Sequence, residues 1–203
     1  MGRKKHKNPM KNVDWKLVKF LEKKALDVDP TIHFNPEKYS KNIDIKLQSH
    51  KTSRHQKYMA NFHIVWTIRG RCKILFKEAR IIMKEFIEQE IKKQENWQLL
   101  TCEVMPEHIH MFVSLNNVTH PYQFVGIVRN NVAKKMITCF PIIEKALGKT
   151  FFNRSFYWGT IGNVTGIGVL NYIHRQWKEF NQEQYFKTKN YLDKKNKSLK
   201  QFF

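Results

Sequence analysis

Some segments of the chain have the apolar pattern of a strand and others that of an amphipathic helix, and together they predict the elements of the fold. Residues 58–69 are rich in β-branched and aromatic side chains, which is typical of a strand. Ala79, Met83 and Ile87 then recur at helical spacing with Glu and Lys between them, which predicts an amphipathic helix. The same criteria predict two strands, a helix, a strand and a final helix, at 97–104, 108–115, 121–147, 151–161 and 165–180.

This order of elements predicts the fold class. Strand, helix, strand, strand, helix and strand form the β-α-β-β-α-β arrangement of ferredoxin-like α+β domains, an antiparallel sheet with two helices on one face. The open face of such a sheet is a common platform for nucleic acid. The final helix, at 165–180, is additional and follows a glycine-rich connection around residues 159–168.

The two ends of the chain differ in composition from the middle. Residues 1–57 are heavily charged, with a short helix predicted at 14–26, and form a basic N-terminal extension. Such a segment either orders on DNA or remains a solvated tail. Residues 58–180 form the compact domain that carries the chemistry described below. The Lys- and Asn-rich segment 181–203 is predicted to be a basic C-terminal tail.

The net charge indicates the class of partner. The chain has 37 Lys and Arg against 17 Asp and Glu, a formal charge of +20. An excess of this size favours a polyanionic partner, nucleic acid before an anionic membrane. No long apolar stretch predicts a membrane helix, and no apolar segment follows the basic start to make a secretion signal. The three cysteines lie far apart, which suggests reduced thiols in a cytoplasmic protein.

A pair of histidines on the third predicted strand is the first candidate for chemistry. Because side chains alternate along a strand, His108 and His110 point to one face and Ile109 to the other. Two imidazoles at this spacing can hold one divalent ion and leave coordination sites open for phosphate and water. They suit Mn²⁺, Co²⁺ or Zn²⁺, and Mg²⁺ can serve where oxygen ligands complete the shell.

A tyrosine and a glutamine on the last predicted helix complete the candidate site. Tyr172 and Gln176 lie one turn apart on a common face, so the amide of Gln176 can supply an oxygen ligand. Tyr172 is the candidate nucleophile, with Arg175 nearby to favour the phenolate. Attack on a DNA phosphodiester would leave a 5′-phosphotyrosine and a free 3′-hydroxyl. Each of these residues alone is more often a packing or surface residue, and only the combination indicates catalysis.

Three neighbouring side chains are expected to lie outside the site. Glu107 could act as a general base, but it is one residue out of phase with the histidines, so a charge in the turn on the opposite face is expected. His63 could approach the site from the first strand, but packing in the core or at the strand edge is favoured. His174 lies on another face of the helix from Tyr172 and is expected at the surface.

Several stretches, in the right order, resemble one family. Met-Pro-Glu-His-Ile-His-Met-Phe-Val (105–113) is similar to the signature of the HUH single-tyrosine transposases of small bacterial and archaeal insertion sequences, the TnpA group. The segments 63–71, 128–136, 155–162 and 171–176 resemble that family's first strand, second helix, last strand and catalytic helix.

The resemblance implies a function and its partners. His108, His110 and Gln176 would bind a divalent metal, Mg²⁺ or Mn²⁺, and Tyr172 would be the nucleophile of a transposase. Family members act as homodimers that cut and rejoin single-stranded DNA, recognising hairpins near the element ends. Basic side chains are the candidates for contacts with DNA phosphates, and aromatic side chains are the candidates for stacking on unpaired bases. These candidates are Arg69, Arg71, Arg129, Lys134, Lys135, Tyr157, Trp158 and Arg175.

Other functions fit the same residues. A relaxase-like or replication-initiator nuclease would use the same chemistry, but a single tyrosine and a small core disfavour it. A domesticated nuclease acting on chromosomal repeats would have the same active-site residues. A non-catalytic ferredoxin-like module that binds nucleic acid would account for the charge and the aromatic residues, but not for the histidine pair and the tyrosine.

Overall fold

A computed structural model describes residues 10–26 and 51–161, together with the single positions 168, 171, 172, 175, 176 and 179. The helices are α1 (Trp15–Leu26), α2 (Lys77–Lys92), α3 (Pro121–Cys139) and α4 (Pro141–Leu147). The strands are β1 (Lys51–Ser53), β2 (Gln56–Tyr58), β3 (Asn61–Ile68), β4 (Gln98–Val104), β5 (His108–Ser114) and β6 (Phe152–Thr160).

Four of the strands form one antiparallel sheet. Its order is β4-β5-β3-β6, so the two central strands are β5 and β3, paired from Asn61↔Ser114 to Thr67↔His108. The helix α2 connects β3 to β4, and α3 with α4 connects β5 to β6. This is the predicted ferredoxin-like α+β fold. The predicted helix at 121–147 is divided, because Pro141 begins a new helix after Phe140 leaves helical geometry.

One face of the sheet carries the core. Alternate side chains of β3 and β5 are buried there against the helices, and each fully buried large apolar side chain contributes roughly 1.5–3 kcal/mol. The residues at the centre of this cluster include Ile64, Trp66, Ile109, Met111, Met83, Ile87, Phe124 and Val128. The histidines of the two strands therefore lie on the opposite face, which the helices leave open.

The start of α3 is fixed by local hydrogen bonds. The side chain of His120 accepts a hydrogen bond from the backbone N–H of Tyr122, and Gln123 accepts one from the backbone N–H of His120. Pro121 occupies the first helical position, where its missing N–H costs nothing.

The helix α1 lies within the core rather than in a detached arm. Val18, Leu21 and Ala25 are buried in the main cluster, and the Asp14 carboxylate caps the helix by accepting from the backbone N–H groups of Lys16 and Leu17. The expectation of an arm that orders on DNA is therefore wrong for residues 15–26, since apolar residues at helical spacing bury a face despite the surrounding charge. The boundary at residue 57 stays a prediction.

A short hairpin, β1–β2, precedes the sheet and was not predicted. Its strands are polar and three residues long, so they carry no alternation of apolar residues that would reveal them. Lys51 anchors the hairpin because its ammonium group donates to the carbonyl oxygens of Asn96 (2.7 Å), Leu115 (3.1 Å) and Ser114 (3.2 Å). Tyr58 belongs to this hairpin, so β3 begins at Asn61 rather than at residue 58.

The remaining predictions concern segments at the C-terminal end and the thiols. The described positions of the final predicted helix are all helical. Residues 162–167, the tail 181–203 and His174, which is expected at the surface, lie outside the described residues. Cys72, Cys102 and Cys139 are free thiols. In the part of the chain that the structure describes, every helix is too short or too polar to cross a membrane.

Candidate active site

His108 and His110 lie side by side on the open face of the sheet. The Nε2 atoms of the two rings are 2.9 Å apart, and the rings are nearly perpendicular. His110 is buried and His108 is half-buried. Strand alternation explains the shared face, since Ile109 between them points into the core.

The other ring nitrogen of each histidine is held by a neighbour. Glu107 Oε1 lies 3.1 Å from His108 Nδ1, and His63 Nε2 lies 3.1 Å from His110 Nδ1. In the tautomer in which both Nδ1 atoms carry the proton, the two Nε2 lone pairs face the same point. A carboxylate on the far side of an imidazole is a usual support of a histidine metal ligand, and His63 occupies the corresponding position beside His110.

Burial lowers the pKa of two of these imidazoles, His110 and His63, and so favours their neutral form. The pKa of His110 is lowered to about 3 by burial first, then by the nearby charges of His108 and His63, against an opposing hydrogen bond with Gln176. Burial also lowers the pKa of His63. Neutral imidazoles at neutral pH have the lone pairs that metal binding requires.

Tyr172 and Gln176 approach the histidines from the final helical positions. The Tyr172 ring centroid lies 5.4 Å from those of His63 and His110, in edge-on geometry, and Gln176 hydrogen-bonds to His110. The pKa of Tyr172 is raised, by burial first and then by Tyr157. Arg175 lowers that pKa, as expected, but it does not offset the burial, so the free phenol keeps its proton.

A cavity of about 690 Å³ opens above these residues. Phe112 stacks on the His63 ring with centroids 4.5 Å apart, and Tyr157 meets the same ring edge-on at 5.7 Å. The lining combines the imidazoles, the tyrosine and the glutamine with Arg71 and small residues such as Gly159. A flexible polyanion can therefore reach the histidine pair from solvent.

The donor set fits a divalent cation. Among the described residues no group of three His, Cys, Asp or Glu side chains surrounds a common point, so the candidate ligands are the two imidazoles and the amide oxygen of Gln176. Two nitrogens bound at about 2.1 Å at right angles would lie about 3.0 Å apart, close to the observed 2.9 Å between His108 and His110. Two facing lone pairs at that distance repel each other unless a cation or a proton lies between them.

Two of the proposed DNA-contact residues, Arg71 and Tyr157, line this cavity. Arg175 is an exposed side chain at a helical position near Tyr172 and is not part of the lining. Trp158 lies on the opposite face of β6, against Phe62 and His120, and is still 40% exposed. Trp158 pairs with the buried Ile64 and shares its core-side face, so one aromatic residue of this pair faces the core, as expected, although Trp158 remains partly exposed on the edge strand.

The other proposed DNA-contact residues lie away from the cavity. Arg69 is buried and its guanidinium donates to the carbonyl oxygens of Leu147 and Lys11, so it ties the turn after β3 to the helices and we no longer expect it to contact phosphate. Arg129 donates to the backbone of β6, and Lys135 pairs with Glu90 at 2.9 Å.

Lys134, the last of that group, is exposed on α3. Since α3 packs on the core side of the sheet, Lys134, Lys135 and Arg129 lie across the sheet from the histidine pair.

Sequence reasoning missed His63 and Glu107. The register pairs His63 with Phe112 and Val65 with His110, which makes His63 a diagonal neighbour of His110 on the open face. Glu107 precedes β5 and lies in the turn, so strand alternation does not govern its direction. The carboxylate immediately before the first histidine was the signal that could have revealed Glu107.

Comparisons with known proteins identify the family of this chain. A family model described as "Transposase IS200 like" matches residues 56–176, more than half of the chain. The ISDra2 transposase TnpA of Deinococcus radiodurans is 27% identical over 127 residues, covering 62% of this chain and 90% of the relative.

Two solved structures resemble the chain. A crystal structure described as a transposase of Deinococcus radiodurans R1 matches 62% of this chain and 97% of its own, with a TM-score of 0.52 and 23% identity, which is a likeness of fold. A REP-associated tyrosine transposase bound to a REP hairpin matches 61% of this chain and 68% of its own, with a TM-score of 0.40 and 15% identity. On the strength of the family match over residues 56–176, this chain belongs to the family of IS200-like transposases.

Proposed function

We propose that this protein is a metal-dependent transposase that cleaves and rejoins single-stranded DNA through a covalent bond to Tyr172. The observation that carries the proposal is the convergence of the histidine pair, Tyr172 and Gln176 on one open cavity. Membership of the IS200-like family supports the same reaction class.

His108, His110 and Gln176 would hold the metal ion, Mg²⁺ or Mn²⁺. When bound, this ion supplies positive charge to the non-bridging oxygens of the scissile phosphate. Glu107 and His63 orient the two imidazoles so that their Nε2 atoms stay directed at one point.

Tyr172 carries the covalent step. Its hydroxyl oxygen attacks phosphorus, the new bond joins tyrosine to the 5′ phosphate, and the bond from phosphorus to the 3′ oxygen breaks. The phenol gives up its proton, and the departing 3′ oxygen gains one to become a hydroxyl. Burial raises the pKa of Tyr172, so its phenol carries a proton at rest, and this proton leaves as the bond to phosphorus forms.

The substrate would be single-stranded DNA next to a hairpin. The net charge of +20 and exposed aromatic side chains such as Tyr157 support a partner with phosphates and unstacked bases. We also propose a homodimer, following the resemblance to the single-tyrosine transposases, so that the helix bearing Tyr172 can serve its own site or its partner's.

The test is a labelled single strand carrying the flanking hairpin of the encoding locus, incubated with Mn²⁺ or Mg²⁺ and resolved on denaturing gels. We expect a metal-dependent protein–DNA adduct that Tyr172→Phe abolishes while hairpin binding persists. Tyr122→Phe, on an exposed tyrosine of α3, is the matched control and should leave the adduct intact. An adduct that survives in Tyr172→Phe would overturn the assignment, and binding with no adduct in the unaltered protein would favour a non-catalytic module.

A further inference from the structure

The outer face of α1 combines exposed lysines with exposed aromatic rings. Trp15 is 52% and Phe20 is 58% exposed, and the neighbouring lysines at the same face are Lys16, Lys19 and Lys23. Residues three and four apart are neighbours on a helix, so these five side chains form one continuous patch, here called the α1 patch.

The α1 patch is not used to build the fold. The opposite face of the helix supplies Val18, Leu21 and Ala25 to the core. Glu22 is turned inward, where it accepts a hydrogen bond from the backbone N–H of Lys73. Within Trp15–Leu26 the exposed charged side chains are therefore all lysines.

A short chain of contacts connects α1 to the rim of the active-site cavity. The Lys11 carbonyl accepts a hydrogen bond from Arg69 (2.8 Å), and the Met10 side chain fills the space beside Gly70. The next residue, Arg71, lines the cavity that holds the histidine pair. The segment that leads into α1 therefore lies beside the end of the cavity that is marked by Arg71.

Single-stranded DNA is the occupant that this chemistry fits. Lysines neutralise phosphates, and unpaired bases stack on aromatic rings whatever their sequence. A membrane surface fits less well, because an interfacial helix needs a broad apolar face and the apolar face of α1 is already buried.

We propose that the α1 patch is an accessory docking surface for the single DNA strand that leaves the cavity past Arg71. The patch lies outside residues 56–176, the part of the chain that matches the family model, so it would extend the DNA contacts of this chain beyond that core. That this strand is the substrate of the active site rests on the proposed function, whereas the binding of single-stranded DNA by the α1 patch does not.

Binding is tested without cleavage, in the Tyr172→Phe protein and without added metal. The probe is fluorescently labelled oligodeoxythymidine, followed by anisotropy across a salt series. The double variant Lys16→Gln/Lys19→Gln should bind several-fold more weakly, and its salt slope should fall by about 1.4, since each of the two lost phosphate contacts contributes about 0.7 in a single strand. Trp15→Ala should weaken binding roughly tenfold through lost stacking.

The matched control is Lys77→Gln/Lys92→Gln, which removes two exposed lysines from α2. Circular dichroism melts establish that each variant is folded. The proposal is overturned if both double variants lose affinity and salt slope equally, if neither α1 variant differs from the parent, or if α1-dependent binding is seen only with phosphatidylserine vesicles. The adduct assay with Tyr172 intact is scored separately, so a failure of the proposed reaction is distinguishable from a failure of the patch.

Discussion

Nε2 of His63, on β3, lies 3.1 Å from Nδ1 of His110, on β5, and thereby fixes the direction in which the other nitrogen of His110 points. This contact crosses two neighbouring strands, so the sheet register itself orients the candidate metal ligand. The stacking of His63 on Phe112 holds the supporting ring in place.

Replacing His63 should therefore weaken metal binding without removing a ligand. We expect His63→Phe to lower Mn²⁺ affinity by about 10- to 100-fold, the usual effect of losing the partner of a ligating histidine. His63→Gln retains hydrogen-bonding groups and should lose less. Isothermal titration calorimetry with Mn²⁺ measures both, with His55→Gln on the exposed hairpin as the control. Equal affinities for the His63→Phe and His55→Gln proteins would contradict the orienting role.

Glu107 should play the corresponding part for His108. Its Oε1 atom lies 3.1 Å from His108 Nδ1, so Glu107→Ala frees the ring to rotate and removes the acceptor. We expect a loss of Mn²⁺ affinity of about tenfold or more for Glu107→Ala, and a smaller loss for Glu107→Gln, which keeps an acceptor oxygen. Glu95→Ala removes one charge from an exposed loop and serves as the control. If Glu95→Ala and Glu107→Ala weaken binding equally, the effect is one of net charge.

The sequence predicted those parts of the site that depend only on the spacing of residues within one strand or one helix. The shared face of His108 and His110 follows from strand alternation alone, and that of Tyr172 and Gln176 from helical spacing. The role of His63 depends on which residues of β3 and β5 pair, which no short window of sequence specifies.

The same distinction applies to the fold. The order of the core elements follows from apolar spacing, whereas the burial of Arg69 depends on the turn after β3 meeting both Leu147 and the segment before α1. The packing of α1 was missed because its many lysines suggested a solvated arm, although Val18, Leu21 and Ala25 already had helical spacing.

Acid should weaken the contact between α2 and α3 through Glu90. This buried carboxylate accepts hydrogen bonds from the side chains of Lys93, Lys135 and Asn131. Burial alone would raise the pKa of Glu90, but these hydrogen bonds outweigh it and lower the pKa from 4.5 to about 2. Because the folded pKa lies below the unfolded one, its contribution of about 3 kcal/mol is present above pH 4.5 and is lost as the pH falls toward 2.

Urea unfolding between pH 6 and pH 2.5 measures this contribution by comparison with Glu90→Gln, which cannot ionise. At pH 6 the unaltered protein should be the more stable of the two, and the difference should shrink as the pH falls through the range from 4.5 toward 2. Glu85→Gln, on the exposed face of α2, should show no such trend. A stability difference that does not change with pH would mean that the Glu90 charge is not what holds these helices together.

Two glycine-to-alanine changes should have opposite effects on stability. Gly148 has a φ of 73°, and a Cβ there would lie 3.1 Å from the carbonyl oxygen of Asn12 and 3.3 Å from Arg69 Nη1. Gly148→Ala should therefore destabilise the protein by about 1–3 kcal/mol, since it strains the backbone and displaces the segment leading into α1. Gly126 lies within α3, where an added Cβ meets nothing within 4 Å. Gly126→Ala should stabilise the protein by about 0.5–1 kcal/mol through the better helix propensity of alanine.

Thermal melts of the two variants check this directly, because a change of 1 kcal/mol shifts Tm by about 2–4 °C in a chain of this size. The opposite signs matter more than the magnitudes, since each variant controls for the general effect of adding a methyl group. A Gly148→Ala protein as stable as the parent would show that residues 10–12 can move away from Gly148. Because these residues connect α1 to the cavity rim, the α1 patch would then not be held beside the cavity.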